Sequence, residues 1–277
     1  MERIIRIGIP EGSGGEALQH QVLKTFQAPA WQCLPRLFPP NELGAALLSG
    51  EIECSARALH ELPATPREGI VNAALIDRVE PAATLIMPAE KQSNGIFRLP
   101  KEAVVYVAHP ALSAQLGDFR PDLRLYPLEG SFLQWDSLLQ GAQADALLLN
   151  PLEASLFLRE KSEDFFRLAL NPREICPQPG LGAIVLQTLS EDLPTRRLLQ
   201  SVHRPELSAR TNVERKLLRL LGGEIQTPLG AFCERDAMGH YHLFAAYAGG
   251  ESGRLRRVRQ SSSTTSDLAD LAFAALQ

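Results

Sequence analysis

Cysteine is scarce and scattered in this 277-residue chain: Cys33, Cys54, Cys176 and Cys233 form no C-x-x-C pair. That spacing argues against a disulfide framework and predicts reduced thiols in a cytoplasmic protein. Long apolar runs are missing as well, since none approaches the ~20 residues that a membrane-spanning helix needs. The opening stretch MERIIRIGIPEG carries charges but no apolar signal core or small-residue cleavage site, so no secretory segment is expected. Charge of one sign is not in excess: 28 Lys and Arg face 32 Asp and Glu, a net charge of −4, and neither half stands out. This excludes bulk attraction to nucleic acid. A local basic run, Arg254, Arg256, Arg257 and Arg259, alternates along the chain. It reads first as the solvent face of an edge strand and second as a phosphate-binding stripe. Also absent are the phosphate-loop and dinucleotide glycine motifs, H-x-x-x-H and H-E-x-x-H metal spacings, and any Ser/His/Asp or Cys/His arrangement suited to nucleophilic hydrolysis.

What the chain does have is an ordinary folded composition, with 45% apolar and 22% charged residues, and a length that suits two or three domains. Residues 3–9 read as a buried strand, followed by a glycine turn, EGSGGEA, that opens a helix. Ser13 in that turn is a candidate pocket residue. Residues 32–37 form a second strand. Asn41 is placed to cap a helix that Gly50 ends. Strands follow at 52–56 and 69–76. A fresh unit starts near residue 86, with strands at 102–108, 122–128 and 144–150 alternating with helices at 109–119, 131–141 and 151–160. A strand at 181–187 and helices at 192–202 and 205–221 come next. Three strands at 228–235, 240–248 and 253–260 and a helix at 265–276 close the chain. The alternation predicts an α/β protein: residues 1–86 with 176–200 as one α/β lobe, 87–175 as a second, and 201–277 as a small α+β domain. Two similar lobes imply a cleft for a small ligand near the strand C-termini.

Five segments then resemble, in order, motifs of the hydroxymethylbilane synthase (porphobilinogen deaminase) family. ALHELP (58–63) is similar to S-[ML]-K-D-[VL]-P, RVEPAATLI (78–86) to R-x-D-P-R-D, and FRPDLRLYPLEG (119–130) to R-P-D-L…L-R-G. PQPGLGAIVLQ (177–187) is similar to P-x-x-G-Q-G-A, and ARTNVERKLLRLLGGEIQTPLGAF (209–232) to A-E-R…G-G-C-Q-x-P-I-G. The resemblance implies two lobes like those of type II periplasmic binding proteins plus a small C-terminal domain. It also implies polymerisation of porphobilinogen on a dipyrromethane primer, which a cysteine of the G-G-C-Q turn holds as a thioether. An aspartate would contact the pyrrole nitrogens and a set of arginines the substrate carboxylates.

The chain departs from that pattern at the chemistry. The primer cysteine is Glu224, which has no sulfur nucleophile. Cys233, nine residues on, would have to reach from the next strand. The aspartate is Glu61, one methylene longer, and the lysine before it is His60. The family arginines fall on Ala111, Leu112, Glu129, Trp135 and Ser155, with His109 beside them. An N-terminal arginine falls on Pro10 or Glu11. Each charge-assisted bond to a desolvated carboxylate contributes on the order of 1.5–3 kcal/mol, so losing five or six of them removes the grip on an oligopyrrole. Arg57 and Arg78 remain as cleft-rim candidates, while Arg120 and Arg124 read as solvated turn residues. The expectation is therefore a monomeric, family-like protein without attached dipyrromethane, which binds a small molecule, tetrapyrroles among the candidates, or a partner in its cleft. The alternative is an active synthase with altered primer attachment.

Overall fold

The computed structural model describes residues 3–26, 31–79, 81–159, 164–249 and 253–277. The chain divides into two compact units, Met1–Val79 with Gly180–Ala209, and Glu80–Pro179 with Arg210–Gln277. The first unit opens with β1 (Arg3–Pro10), in which alternate residues Ile5, Ile7 and Ile9 are fully buried. Helix α1 (Ser13–Thr25) lays Leu18 and Val22 into the same core. It starts hard against the strand: a Cβ on Gly15 would overlap the carbonyl oxygen of Pro10, so glycine is required for the close approach. β2 (Trp31–Phe38), α2 (Leu43–Leu48), β3 (Cys54–Ala58) and β4 (Ile70–Arg78) complete this stretch.

The second unit carries β5 (Thr84–Pro88), β6 (Val104–Val107), α3 (Pro110–Phe119), β7 (Arg124–Pro127) and α4 (Phe132–Gln140). β8 (Ala146–Leu149), α5 (Pro151–Phe157) and β9 (Phe165–Ala169) follow. The chain returns to the first unit as β10 (Ala183–Leu189) and α6 (Leu193–Gln200). After α7 (Pro205–Leu220) come β11 (Leu229–Arg235), β12 (Tyr241–Tyr247), β13 (Arg256–Ser262) and α8 (Leu268–Leu276).

The two larger sheets share one plan. The first is ordered β2-β1-β3-β10-β4 and the second β7-β6-β8-β5-β9. In each, three strands are parallel, and the fourth, supplied by the segment that has just crossed from the other unit, runs antiparallel to both its neighbours. This is the architecture of two type II periplasmic-binding-protein-like α/β lobes. The third sheet, β11-β12-β13, is a fully antiparallel three-stranded sheet backed by α8. Two strands, β5 and β9, were not among those expected. Both are five residues long, and a short apolar run carries no sign of its direction or partner.

Three local expectations are corrected. Asn41 does not cap α2; Glu42 occupies that position and makes no side-chain capping bond. Gly50 does follow the helix in the left-handed region, at φ 74°. Arg120 is no solvated turn residue. It is 9% exposed, and its guanidinium donates to Asp122 at 2.7 and 2.8 Å and to the carbonyls of Ile96 and Pro100 at 2.9 Å each. The hydrogen bond and charge of Arg120 hold the Asp122 carboxyl well below the usual carboxylate range. Arg124, by contrast, is exposed and faces Glu102 at 3.8 Å. Arg256, Arg257 and Arg259 of the basic run do fall on an edge strand, β13, while Arg254 precedes it. Its arginines are engaged within the chain: Arg257 donates to the Glu174 carbonyl at 2.7 Å and lies over the Phe119 ring, and Arg259 lies over Phe244.

Gln115 joins α3 to the segment that leads into β10. It is fully buried, donates to the carbonyls of Ala111 and Cys176 at 3.0 and 2.8 Å, and accepts the Cys176 N–H at 2.7 Å. Gly230 of β11 presses against this knot, where a Cβ would overlap the Cys176 carbonyl oxygen. Leucine at position 115 would strand the peptide groups of Cys176 without water. We expect Gln115→Leu to lower the urea unfolding midpoint by the equivalent of about 2–4 kcal/mol, with the slope unchanged. A change under about 0.5 kcal/mol would show that the knot is dispensable.

Candidate functional site

In the first unit, β3 ends in a single 3-10 turn, Leu59–Glu61, whose apolar anchor Leu59 is buried beside Leu62, Leu75 and Val185. The turn presents His60, half-buried, and Glu61, which keeps contact with solvent. Burial among surrounding protein atoms raises the Glu61 carboxyl pKa, against the smaller opposing pull of Arg57. Burial likewise lowers the Arg57 pKa, against the attraction of Glu61. The Arg57 Nε atom is buried and has no hydrogen-bond partner. Arg57 lines a cavity of about 400 Å³ together with Arg67, Leu62, Ile70, Asn72 and Gln187. Arg78 instead donates from Nε to the Leu181 carbonyl at 3.0 Å. Ser13 begins α1, and its side chain lies outside the described residues.

In the second unit, α7 runs into the two-glycine turn. Gly222 and Gly223 take φ values of 107° and 79°, and the Gly223 N–H closes on the Leu218 carbonyl at 2.9 Å. This left-handed ending is open to glycine and strained for other residues. Glu224 follows, exposed, with its carbonyl accepting the Thr227 N–H at 3.2 Å. The next residue is tied down by His109, the N-cap of α3, whose Nε2 lies 3.0 Å from the Ile225 carbonyl. The Nδ1 atom accepts the Ala111 N–H at 3.2 Å. A carbonyl only accepts and an amide only donates, so His109 is the neutral Nε2–H tautomer. It is 3% exposed, and burial lowers its pKa despite the bond to Ile225. Ala111 and Leu112 are buried behind it, Leu112 within the apolar core of the sheet.

Glu129 sits one residue before Gly130, whose φ of 86° turns the chain into α4. The Glu129 carbonyl accepts the Trp135 indole N–H at 2.9 Å, and the Trp135 ring packs between Phe132 and Phe157. Trp135 is thus a core residue, with its polar edge satisfied. Glu129 is exposed and, among the described residues, is the one charged residue lining a second cavity, of about 580 Å³. Ser155 is exposed on α5 and belongs to neither cavity. The structure therefore gathers Arg57, His60 and Glu61 in one unit. In the other it gathers His109, Ala111 and the Glu224 turn at one place, and Glu129 with Trp135 at another.

The thiols are poorly placed for covalent chemistry. Cys54, Cys176 and Cys233 are buried. Burial pushes the Cys54 thiol up, the Cys176 thiol up to about 12 and that of half-buried Cys33 up to about 11. Cys233 is fully buried in β11, where its N–H donates to the buried Glu214 carboxylate at 2.8 Å. Among the described residues, no group of three or more His, Cys, Asp or Glu side chains could hold a metal ion, and no helix is long and apolar enough to cross a membrane. Sequence reasoning missed the pairing of Asn72 with Gln187, whose Nε2 donates across 2.9 Å; the two residues are 115 positions apart on strands whose pairing no local pattern announces.

Comparison with known proteins gives one family. Residues 36–197, more than half of the chain, match the family model described as "Porphobilinogen deaminase, dipyromethane cofactor binding domain". The chain is 31% identical over 221 residues to the porphobilinogen deaminase of Chloroherpeton thalassium, covering 80% of this chain and 68% of that one. It is 31% identical over 227 residues to that of Thermobifida fusca, covering 81% and 69%. Among solved structures it is similar to the probable amino-acid ABC transporter extracellular-binding protein ytmK of Bacillus subtilis, at 10% identity and a TM-score of 0.47, over 73% of this chain and 90% of that one.

The buried neutral imidazole has a consequence for stability. With its pKa lowered in the folded state, His109 binds fewer protons folded than unfolded once the pH falls below its unfolded value of about 6.5. Its contribution is then complete at neutral pH and is lost on acidification. His203, also lowered by burial, acts with the same sign. We expect unfolding midpoints between about pH 8 and about pH 5 to fall more steeply for the native chain than for His109→Gln. Parallel curves would show that His109 is solvated.

Proposed function

This chain belongs to the porphobilinogen deaminase family, and we propose that it binds a small molecule without polymerising porphobilinogen. The observation that carries this reading is Glu224, at the position of the family's primer cysteine. The segment Gly222–Gly230 is one residue longer than the family's G-G-C-Q-x-P-I-G, so the cysteine position falls on Glu224 when counted from the glycines and on Ile225 when counted back from Gln226, Pro228 and Gly230, and neither side chain carries sulfur. An exposed carboxylate cannot form a thioether. Nor do the cysteines present fit a dipyrromethane: three are buried, and Cys33 lies on β2 in the first unit with its thiol pKa raised.

Charge supports the same reading. Where the resemblance places arginines, the second unit has two buried apolar residues at the start of α3, a core tryptophan, a serine and Glu129. Desolvated carboxylates need charge-assisted partners, each contributing on the order of 1.5–3 kcal/mol. A cavity whose charged residue is Glu129 repels such groups. The Glu224 turn itself is well built, held by His109 and by its two left-handed glycines. The family's scaffold around the primer position is kept and its nucleophile is not.

We expect intact-mass measurement of the purified chain to give the polypeptide mass with no dipyrromethane increment. Incubation with porphobilinogen should yield no hydroxymethylbilane, read as uroporphyrin after oxidation. A covalent increment or turnover would establish the other reading, an active synthase with altered attachment.

Glu224→Cys should leave the chain inactive, because the arginines stay absent. Restored turnover from that single change would overturn the charge argument while leaving the fold assignment intact.

A further inference from the structure

The first unit's cavity of about 400 Å³ is lined by two guanidinium groups, Arg57 and Arg67, and, among the described residues, by no carboxylate. Its other polar groups are amides. Gln187, 7% exposed, gives its Nε2 hydrogen to Asn72 Oδ1, which leaves the Asn72 amide nitrogen for a further acceptor. The remaining wall is apolar, with Leu62, Pro63 and Ile70. The volume lies at the small end of the ~300–1,000 Å³ typical of small-molecule sites.

Arg57 sets the demand for a ligand. Its Nε is buried without an acceptor, so the guanidinium lacks one of its hydrogen bonds, and an anion in the cavity offsets part of that cost through its charge. Two cations with Glu61 in electrostatic reach of one of them leave a local charge near +1, which suits a monoanion better than a dianion. The apolar wall suits a hydrocarbon body rather than a free inorganic ion.

We propose that this cavity binds a small monocarboxylic acid, its carboxylate held by Arg57 and Arg67 and its apolar body against Leu62, Pro63 and Ile70. The assignment rests on the reading of the chain as a ligand-binding protein and names the class of ligand.

Calorimetric titration and thermal shift with the full chain test it, using hexanoate, benzoate and phenylacetate, with hexylammonium and inorganic phosphate as controls. Carboxylates should raise the melting temperature by mass action, and the two controls should not. Arg57→Gln and Arg67→Gln should each weaken carboxylate binding by about tenfold or more. Arg67 is exposed, so its variant stays folded and keeps the test decisive if Arg57→Gln does not fold. No response to any of the three acids, equal binding of phosphate or hexylammonium, or unchanged affinity in the Arg67 variant would overturn the site. Its failure is separable from that of the functional reading: a dipyrromethane mass increment sinks the latter, while loss of carboxylate binding in the arginine variants sustains the former.

Discussion

Each of the two large sheets depends on a strand that runs against its neighbours and follows directly on a crossing between the units. β10 lies between β3 and β4, and β5 between β8 and β9. Without β10, the inner edges of β3 and β4 would expose rows of peptide groups in the most buried part of the unit, where each unpaired donor or acceptor is costly. The burial bears this out: from Ala183 to Thr188 every residue of β10 is buried. The first unit therefore cannot complete its sheet from one continuous segment, whereas the five strands of the second unit's large sheet all lie within Glu80–Pro179. The crossings at residues 79–80 and 179–180 are as much a part of the fold as the strands themselves.

That constraint explains which features were legible in the sequence. Isoleucines at every second place in β1, proline after His109 and Asn150 at helix starts, and paired glycines after α7 are local signals, and each marks the element it predicts. The Asn150 cap is a full reciprocal box, with Glu153 N–H to Asn150 Oδ1 at 2.8 Å and Asn150 N–H to Glu153 Oε2 at 3.2 Å. What stayed hidden depended on distant partners. Nothing in TLIMP says that it will pair antiparallel with Ala146–Leu149 and Phe165–Ala169. Nothing near Arg120 says that the carbonyls of Ile96 and Pro100 will surround it. Asn41 had a capping residue's chemistry, but the chain enters α2 one residue later.

The site was legible in a different way. The turn that holds Glu224 could be located because the residues around it serve backbone geometry. Gly222 and Gly223 hold positive φ angles, and Gly230 accepts close contact from the Cys176 peptide. Such positions persist for steric reasons whatever chemistry the turn carries. The side chain at 224 faces solvent and takes no part in closing the turn, so the fold does not constrain it. Fold and reaction are separable at that residue, which is why family membership alone does not decide activity.

The same separation operates where the resemblance places cations. A guanidinium aimed at a ligand must be kept partly desolvated, at a cost the ligand offsets only when bound. At Leu112 and Trp135 this chain instead adds apolar side chains to the core. Trp135 sits 4.9 Å from the Phe132 ring and 6.3 Å from Phe157, with its indole N–H satisfied. Exchanging a desolvated cation for well-packed apolar area is stabilising once no carboxylate has to be held. Arg57 is the exception that keeps the cost. Burial moves its pKa down against the pull of Glu61, whose own side chain is exposed. A half-buried charge kept under those terms, beside a cavity, is better explained by a ligand than by stability of the fold.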